Sequence, residues 1–212
     1  MRRRIGDVNL PELTLYTGDL EPDGDFDGLE LRDLDLSGQS AENARFLDCR
    51  FAGCVLDDAA LNHAQIADTV LEEVRAHTLE AIETTWRDVA VSGCRLGAVT
   101  AYSAQLTRVR ISGGKLDFVN LRDADLTDVV IEDCQIGELD LGGARLTRVT
   151  LAGCRVGNLD VTRATLDRFD LRGADLAGLR GLGSLRGAII TPDQLIEMSG
   201  PLATHLGLTV RE

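Results

Sequence analysis

Few residues in this chain of 212 have the types and spacing to do chemistry. Its three histidines, His63, His77 and His205, are scattered, and no two can share a metal without extra ligands, so each reads as a surface side chain. The five cysteines (Cys49, Cys54, Cys94, Cys134, Cys154) are odd in number and lack C-x-x-C spacing, which argues against a disulfide framework and against zinc. No G-x-x-x-x-G-K-S/T loop exists, and Gly113-Gly114 and Gly142-Gly143 fall at corners, where glycine relaxes the turn. No catalytic constellation, cofactor or metal is expected, and the chain is read as a non-enzyme. Charge is what remains. Counting in twenties, one column reads Asp48, Asp68, Asp88, Arg108, Asp128, Arg148, Arg168. Asp58 and Glu73 add carboxylates on other corners, and a second column reads Arg75, Arg95, Lys115, Gln135, Arg155. Asp48, Asp68, Asp88, Asp58 and Glu73 are therefore the candidate partner-binding residues. Stacked carboxylates repel one another, at a few tenths to about 1 kcal/mol per pair, and suit a partner with a basic groove.

The elements that hold those columns come from a period of five. Every fifth residue from Phe26 to Leu176, 31 in all, is apolar. At 44% hydrophobic composition chance would give about 14. The residue two before each is also usually small or apolar, as at Ala44, Cys49, Cys54, Ala59 and Ala64. A period of five matches neither a helix nor a simple strand. It fits a chain that turns a corner every five residues with two side chains in and three out. The size of the second inward residue repeats every twenty, as in Ala44, Ala64, Thr84, Ala104, Ala124, Ala144 and Ala164, so four sides make one square coil. The cysteines all fall on inward positions, where they act as small hydrophobes.

The chain resembles the pentapeptide-repeat proteins, whose loose Ala-Asp/Asn-Leu consensus stands at Ala124-Asp125-Leu126 and Ala174-Asp175-Leu176 and, more weakly, at Ala59-Ala60-Leu61, Ala104-Gln105-Leu106 and Ala144-Arg145-Leu146. The resemblance implies an all-β fold, a right-handed quadrilateral parallel β-helix, over about 26–180. At the usual strand spacing of about 4.8 Å, nearly eight coils make a rod about 37 Å long. Val70 to Arg87 looks helical by composition, but the phase passes through Ala76, Ala81 and Trp86, so coil is expected to continue there, with weak packing at Ala76 and Ala81.

Three segments are expected: an N-terminal cap over 1–25, the β-helix over 26–180, and a C-terminal helical cap with a dimerisation role over 181–212. Leu10, Leu13, Leu15 and Leu20 are candidates to cover the first coil. Thr191-Pro192-Asp193-Gln194 reads as an N-cap, a proline at the first helical position and a capping box. The helix is expected to run to about Ser199 and to break at Gly200-Pro201, with a turn or two more to about Leu206. Leu195, Ile196, Met198, Leu202 and Leu206 offer more apolar surface than a cap needs. The segment either caps only or also joins two rods tail to tail. The resemblance favours the second, because gyrase-binding members pair through their C-terminal ends.

A net charge of −13 argues against direct nucleic-acid binding. Residues 1–100 carry 20 acids and 9 bases, residues 101–212 carry 15 and 13, so the acidic arm lies opposite the dimer end. Arg2, Arg3 and Arg4 imitate the start of a signal peptide, but Asp7, Asn9 and Glu12 prevent an apolar stretch from forming after them. No run is long enough to span a membrane, and a cytoplasmic location is expected. The resemblance implies a protein partner, with two readings open: a mimic of duplex DNA acting on DNA gyrase and linked to quinolone resistance, or a scaffold for an unrelated partner.

Overall fold

The computed structural model describes residues 5–211, so Arg2, Arg3 and Arg4 lie outside the described residues. The chain winds into a right-handed, four-sided parallel β-helix of about eight coils, closed by one C-terminal helix. Every ladder between Asp25↔Arg45 and Asp160↔Arg180 joins residue n to n+20, so the twenty-residue period of the sequence is the coil itself. Among the described residues the ladders form a 13-stranded and an 8-stranded sheet. Residues 70–87 are strand and turn, with Val70–Glu72, Arg75–Glu80 and Thr85–Ser92 in register with their neighbours, as the unbroken phase requires.

Both inward columns form one core from Leu20 to Ala174. Its thiols are satisfied across the coil: Cys49 Sγ donates to the Phe26 carbonyl, Cys54 to Leu31 and Cys154 to Ile131. Burial pushes the Cys49 and Cys54 thiols up, and that of Cys94 to about 11, which keeps them protonated. Cys154 is pushed up by its contact with Cys134 and by burial, so these neighbours do not ionise together. Thr84 replaces alanine in its column; its buried hydroxyl donates to the Ala81 carbonyl at 2.7 Å and accepts from the Trp86 indole at 2.8 Å.

Corners are made by the residue two after each central one. There Asp48, Asp68 and Asp88 have φ of 50°, 46° and 55°. Aspartate tolerates this left-handed region better than most residues, because its short side chain can bond locally. The backbone alone thus accounts for part of the acidic column.

The N-terminal segment differs from expectation. Leu20 is buried and Leu10 and Leu13 are partly covered, but Leu15 points out at 60% exposure. Tyr16 meets Phe26 edge-on instead, with ring centroids 5.6 Å apart. The strand Thr14–Tyr16 pairs with Leu29–Arg32, and strand alternation turns Leu15 outward. Upstream, Gly6 lies against the Arg110 side chain, four coils on from Glu30, so the segment runs back along the rod's flank.

At the other end, Ala188–Ile189 pairs with Phe169 and Asp170 and carries the larger sheet past residue 180. Gly187 allows this return: its φ is +95°, and a Cβ there would stand 2.0 Å from the Leu166 carbonyl oxygen. The capping box forms as expected, with Thr191 and Gln194 bonded reciprocally. The helix, however, runs unbroken over Pro192–His205 with Pro201 inside it. A residue before proline is normally driven out of the helical region by a clash with its own Cβ, and Gly200 has none. The carbonyl that Pro201 leaves without a donor is on an exposed stretch, where water replaces it.

Candidate partner-binding surface

The corner carboxylates meet different fates along the rod. Asp48 and Asp68 stand half-buried one coil apart at the acidic end. Asp88 is gripped by the Arg108 guanidinium, whose Nε lies 2.6 Å from Oδ1. The same pairing recurs two coils on, where Arg148 holds Asp128 and its hydrogen bond keeps that carboxyl below the usual carboxylate range. On another edge Arg145 binds Asp125 through two contacts of 2.6 and 2.8 Å. An arginine at n+20 sits directly over an aspartate at n, at Arg45–Asp25 in the first coils as well as in the later ones. The alternation of sign at n and n+20 marks the stacking in the sequence; contact between the side chains is set by their rotamers.

The predicted site residues do not converge on one spot. Asp58 and Glu73 are exposed on other corners, and Asp58 accepts a hydrogen bond from Thr78. Together with Asp48 and Asp68 they distribute charge around the N-terminal half. His77 is bound by Asp57 at 2.9 Å, which raises its pKa, first through that hydrogen bond and then through the charge. His63 stands 3.5 Å from Glu83. Among the described residues no group of three metal-ligating side chains comes together, and no helix is long and apolar enough to cross a membrane.

On the face formed by the smaller sheet, Arg75, Arg95 and Lys115 are stacked and exposed. Lys115 reaches Asp117 at 3.2 Å, whereas Arg75, Arg95 and Arg155 have no carboxylate partner among the described residues.

The helix divides the residues expected at a dimer contact. Met198 is buried against the last coil and cannot contribute to an outer face without unpacking the cap. Beside it Gln194, read from sequence only as a capping-box partner, donates through Nε2 to the carbonyls of Leu171 and Ala174 at 2.7 and 2.9 Å. It thereby closes the last coil. Leu195, Ile196 and Leu206 are 52%, 70% and 69% exposed and Leu202 is half-buried; Leu208 and Val210 extend the exposed apolar set. Helical spacing puts positions 194 and 198 on the inward face, 195, 202 and 206 on its flank and 196 on the opposite side.

The family model for a pentapeptide repeat region matches residues 44–121, and that for pentapeptide repeats, in eight copies, matches 104–143. Together with the five-residue sides and twenty-residue coils, these matches decide the family. The chain is a pentapeptide-repeat protein. Solved structures that align with the chain include HetL, a pentapeptide repeat protein involved in heterocyst differentiation regulation from the cyanobacterium Nostoc, at 19% identity and a TM-score of 0.40 over 79% of this chain and 90% of that one. QnrB1, a plasmid-mediated fluoroquinolone resistance protein, aligns at 17% identity and a TM-score of 0.48, over 94% of this chain and 98% of that one. No curated protein matches by sequence. This pentapeptide-repeat protein carries its repeat phase well beyond the matched stretch, from Phe26 to Leu176.

Proposed function

We propose that this pentapeptide-repeat protein is a non-catalytic, cytoplasmic binding rod. Its acidic N-terminal half enters a basic nucleic-acid groove in the manner of duplex DNA, with DNA gyrase or a related topoisomerase as the partner and quinolone protection as the consequence. The observation that carries the reading is the charge gradient along the rod: 20 acids against 9 bases up to residue 100, then 15 against 13. A basic groove lined for phosphates attracts such an arm over a Debye length of about 8–10 Å. The exposed Leu195, Ile196 and Leu206, with Leu202 at their margin, are proposed to join two rods tail to tail, leaving an acidic arm at each end.

The deciding experiment is a gyrase supercoiling assay titrated with the purified protein, with and without a quinolone. Inhibition or protection at micromolar protein supports the reading, and no effect on supercoiling or cleavage overturns it. The triple substitution Asp48→Asn, Asp68→Asn, Asp88→Asn is expected to weaken binding and flatten its salt dependence while leaving the fold intact. Equal affinity and equal salt slope for both proteins would make the column a solvated face only. Sedimentation of Leu195→Glu/Ile196→Glu against the parent tests the tail-to-tail contact, which predicts a shift from dimer to monomer.

The cationic ladder of Arg75, Arg95 and Lys115 favours a second reading, a scaffold for an unrelated protein with an acidic surface. Capture of a partner whose binding is lost in Arg75→Glu/Arg95→Glu but kept in the triple aspartate variant would support it.

A further inference from the structure

Between Ala41 and Ala174, four inward-pointing apolar side chains are only partly buried: Trp86, Leu96, Val99 and Ile111. They belong together. They line a cavity of about 90 Å³ inside the rod, between residues 71 and 121, whose remaining wall is aliphatic apart from the Cys94 thiol. The cause lies in the sizes of the central residues. One coil supplies Leu71, Ala76, Ala81 and Trp86 and the next Val91, Leu96, Ala101 and Leu106, whereas the coil over 131–146 supplies Ile131, Ile136, Leu141 and Leu146. Two alanines in one central column, Ala81 and Ala101, leave space that Trp86 would be large enough to fill. Its indole N–H is instead tied to the buried Thr84 hydroxyl, because a buried indole needs an acceptor. The ring is thereby held at the cavity wall.

We propose that this cavity is a binding site for one small, uncharged, apolar solute, of the size of a xenon atom or a dihalomethane. A space of this volume exceeds what a water molecule occupies, but a water needs two to four polar partners, and the lining offers none beyond a thiol that already donates to the Leu71 carbonyl. Apolar protein cavities of about 150 Å³ stay dry and take up benzene or xenon. The smaller volume here admits only a smaller solute and disfavours a substituted aromatic ring. Occupation restores dispersion contacts that the lining side chains lack on one side. The site is independent of the charged surface and of any macromolecular partner.

Trp86 is the only tryptophan of the chain and reports on the site directly. The full chain is titrated with dibromomethane, a heavy-atom quencher, and Trp86 emission is monitored. Xenon-129 exchange is measured on the same protein. Saturable quenching and a distinct bound-xenon resonance are expected, with at least a tenfold loss of both in Ala101→Leu, which fills the space. Because an added leucine can overpack the coil, Ala81→Val is run beside it and is expected to weaken uptake by a smaller factor. Quenching that rises linearly with dibromomethane and is equal in parent and filled variants, with no bound-xenon resonance, would overturn the proposal.

Discussion

The first coils and the later ones solve the same geometry differently. Up to residue 72 the strands have two to four residues, mostly three, such as Arg45–Leu47, Arg50–Ala52, Gln65–Ala67 and Val70–Glu72. From residue 75 onward they are mostly six or eight residues long, as in Arg75–Glu80, Thr85–Ser92 and Gln105–Ser112. One corner column accounts for most of the six-residue strands; the eight-residue strands run through Asp88, Arg108, Asp128 and Arg148, which keep positive φ. In that one column Gly38 and Asp58 turn in the left-handed region, with φ of 70° and 57°, while Thr78, Ala98, Phe118, Glu138 and Asn158 do not enter that region. Threonine and phenylalanine incur a steric penalty at positive φ, so the strand runs through the corner instead of kinking there. The interiors differ as well. Phe26 and Phe46 stack at 4.7 Å in the first coils, and the cavity opens close to the point where the corner changes.

The largest test of this contrast is core truncation. Phe46→Ala removes a fully buried ring and is expected to cost about 3–5 kcal/mol, whereas Leu96→Ala, beside existing space, should fall near the low end of the leucine range, about 2 kcal/mol. Equal shifts of the denaturant midpoint would show that the cavity does not relieve packing. The corner itself is tested by Gly38→Val, where a side chain would meet open space and only the backbone objects; about 1–2 kcal/mol is expected. Ala98→Val, at the matching position in the extended corner, should be nearly neutral, and hydrogen exchange of the flanking amides would show whether the two responses differ.

The ion-pair ladder of the later coils is expected to matter less. Arg148→Ala should lower the melting temperature only slightly, and less as salt rises, because the pair with Asp128 is partly exposed. Thermal melts at low and high ionic strength measure it. The smallest effect belongs to His77 and Asp57. A histidine pKa raised in the folded state contributes stability below the unfolded value near 6.5, and that contribution fades as pH rises through the raised value. An NMR titration should find the His77 midpoint lower in Asp57→Asn than in the parent.

Much of the molecule is readable from the chain of residues alone. The run from Phe26 to Leu176 dictates a coil with a five-residue side because only that winding keeps every central residue inward. The size classes at n and n+20 dictate the stacking, since a coil touches only its neighbours. The capping box at Thr191 and the absence of a helix over 70–87 come from local rules of the same kind. Other features required the third dimension. Pro201 stays within the helix because Gly200 relieves the clash that normally precedes proline. Met198 belongs to the cap because Gln194, one turn before it on the same face, is bonded to the carbonyls of the last coil. Asp88 is neutralised because Arg108 lies directly above it and within reach. The void beside Trp86 depends on where one indole finds its acceptor. Periodicity reports which side chains face inward, but the volume they fill and the charges they meet depend on rotamers and docking angles that no spacing encodes.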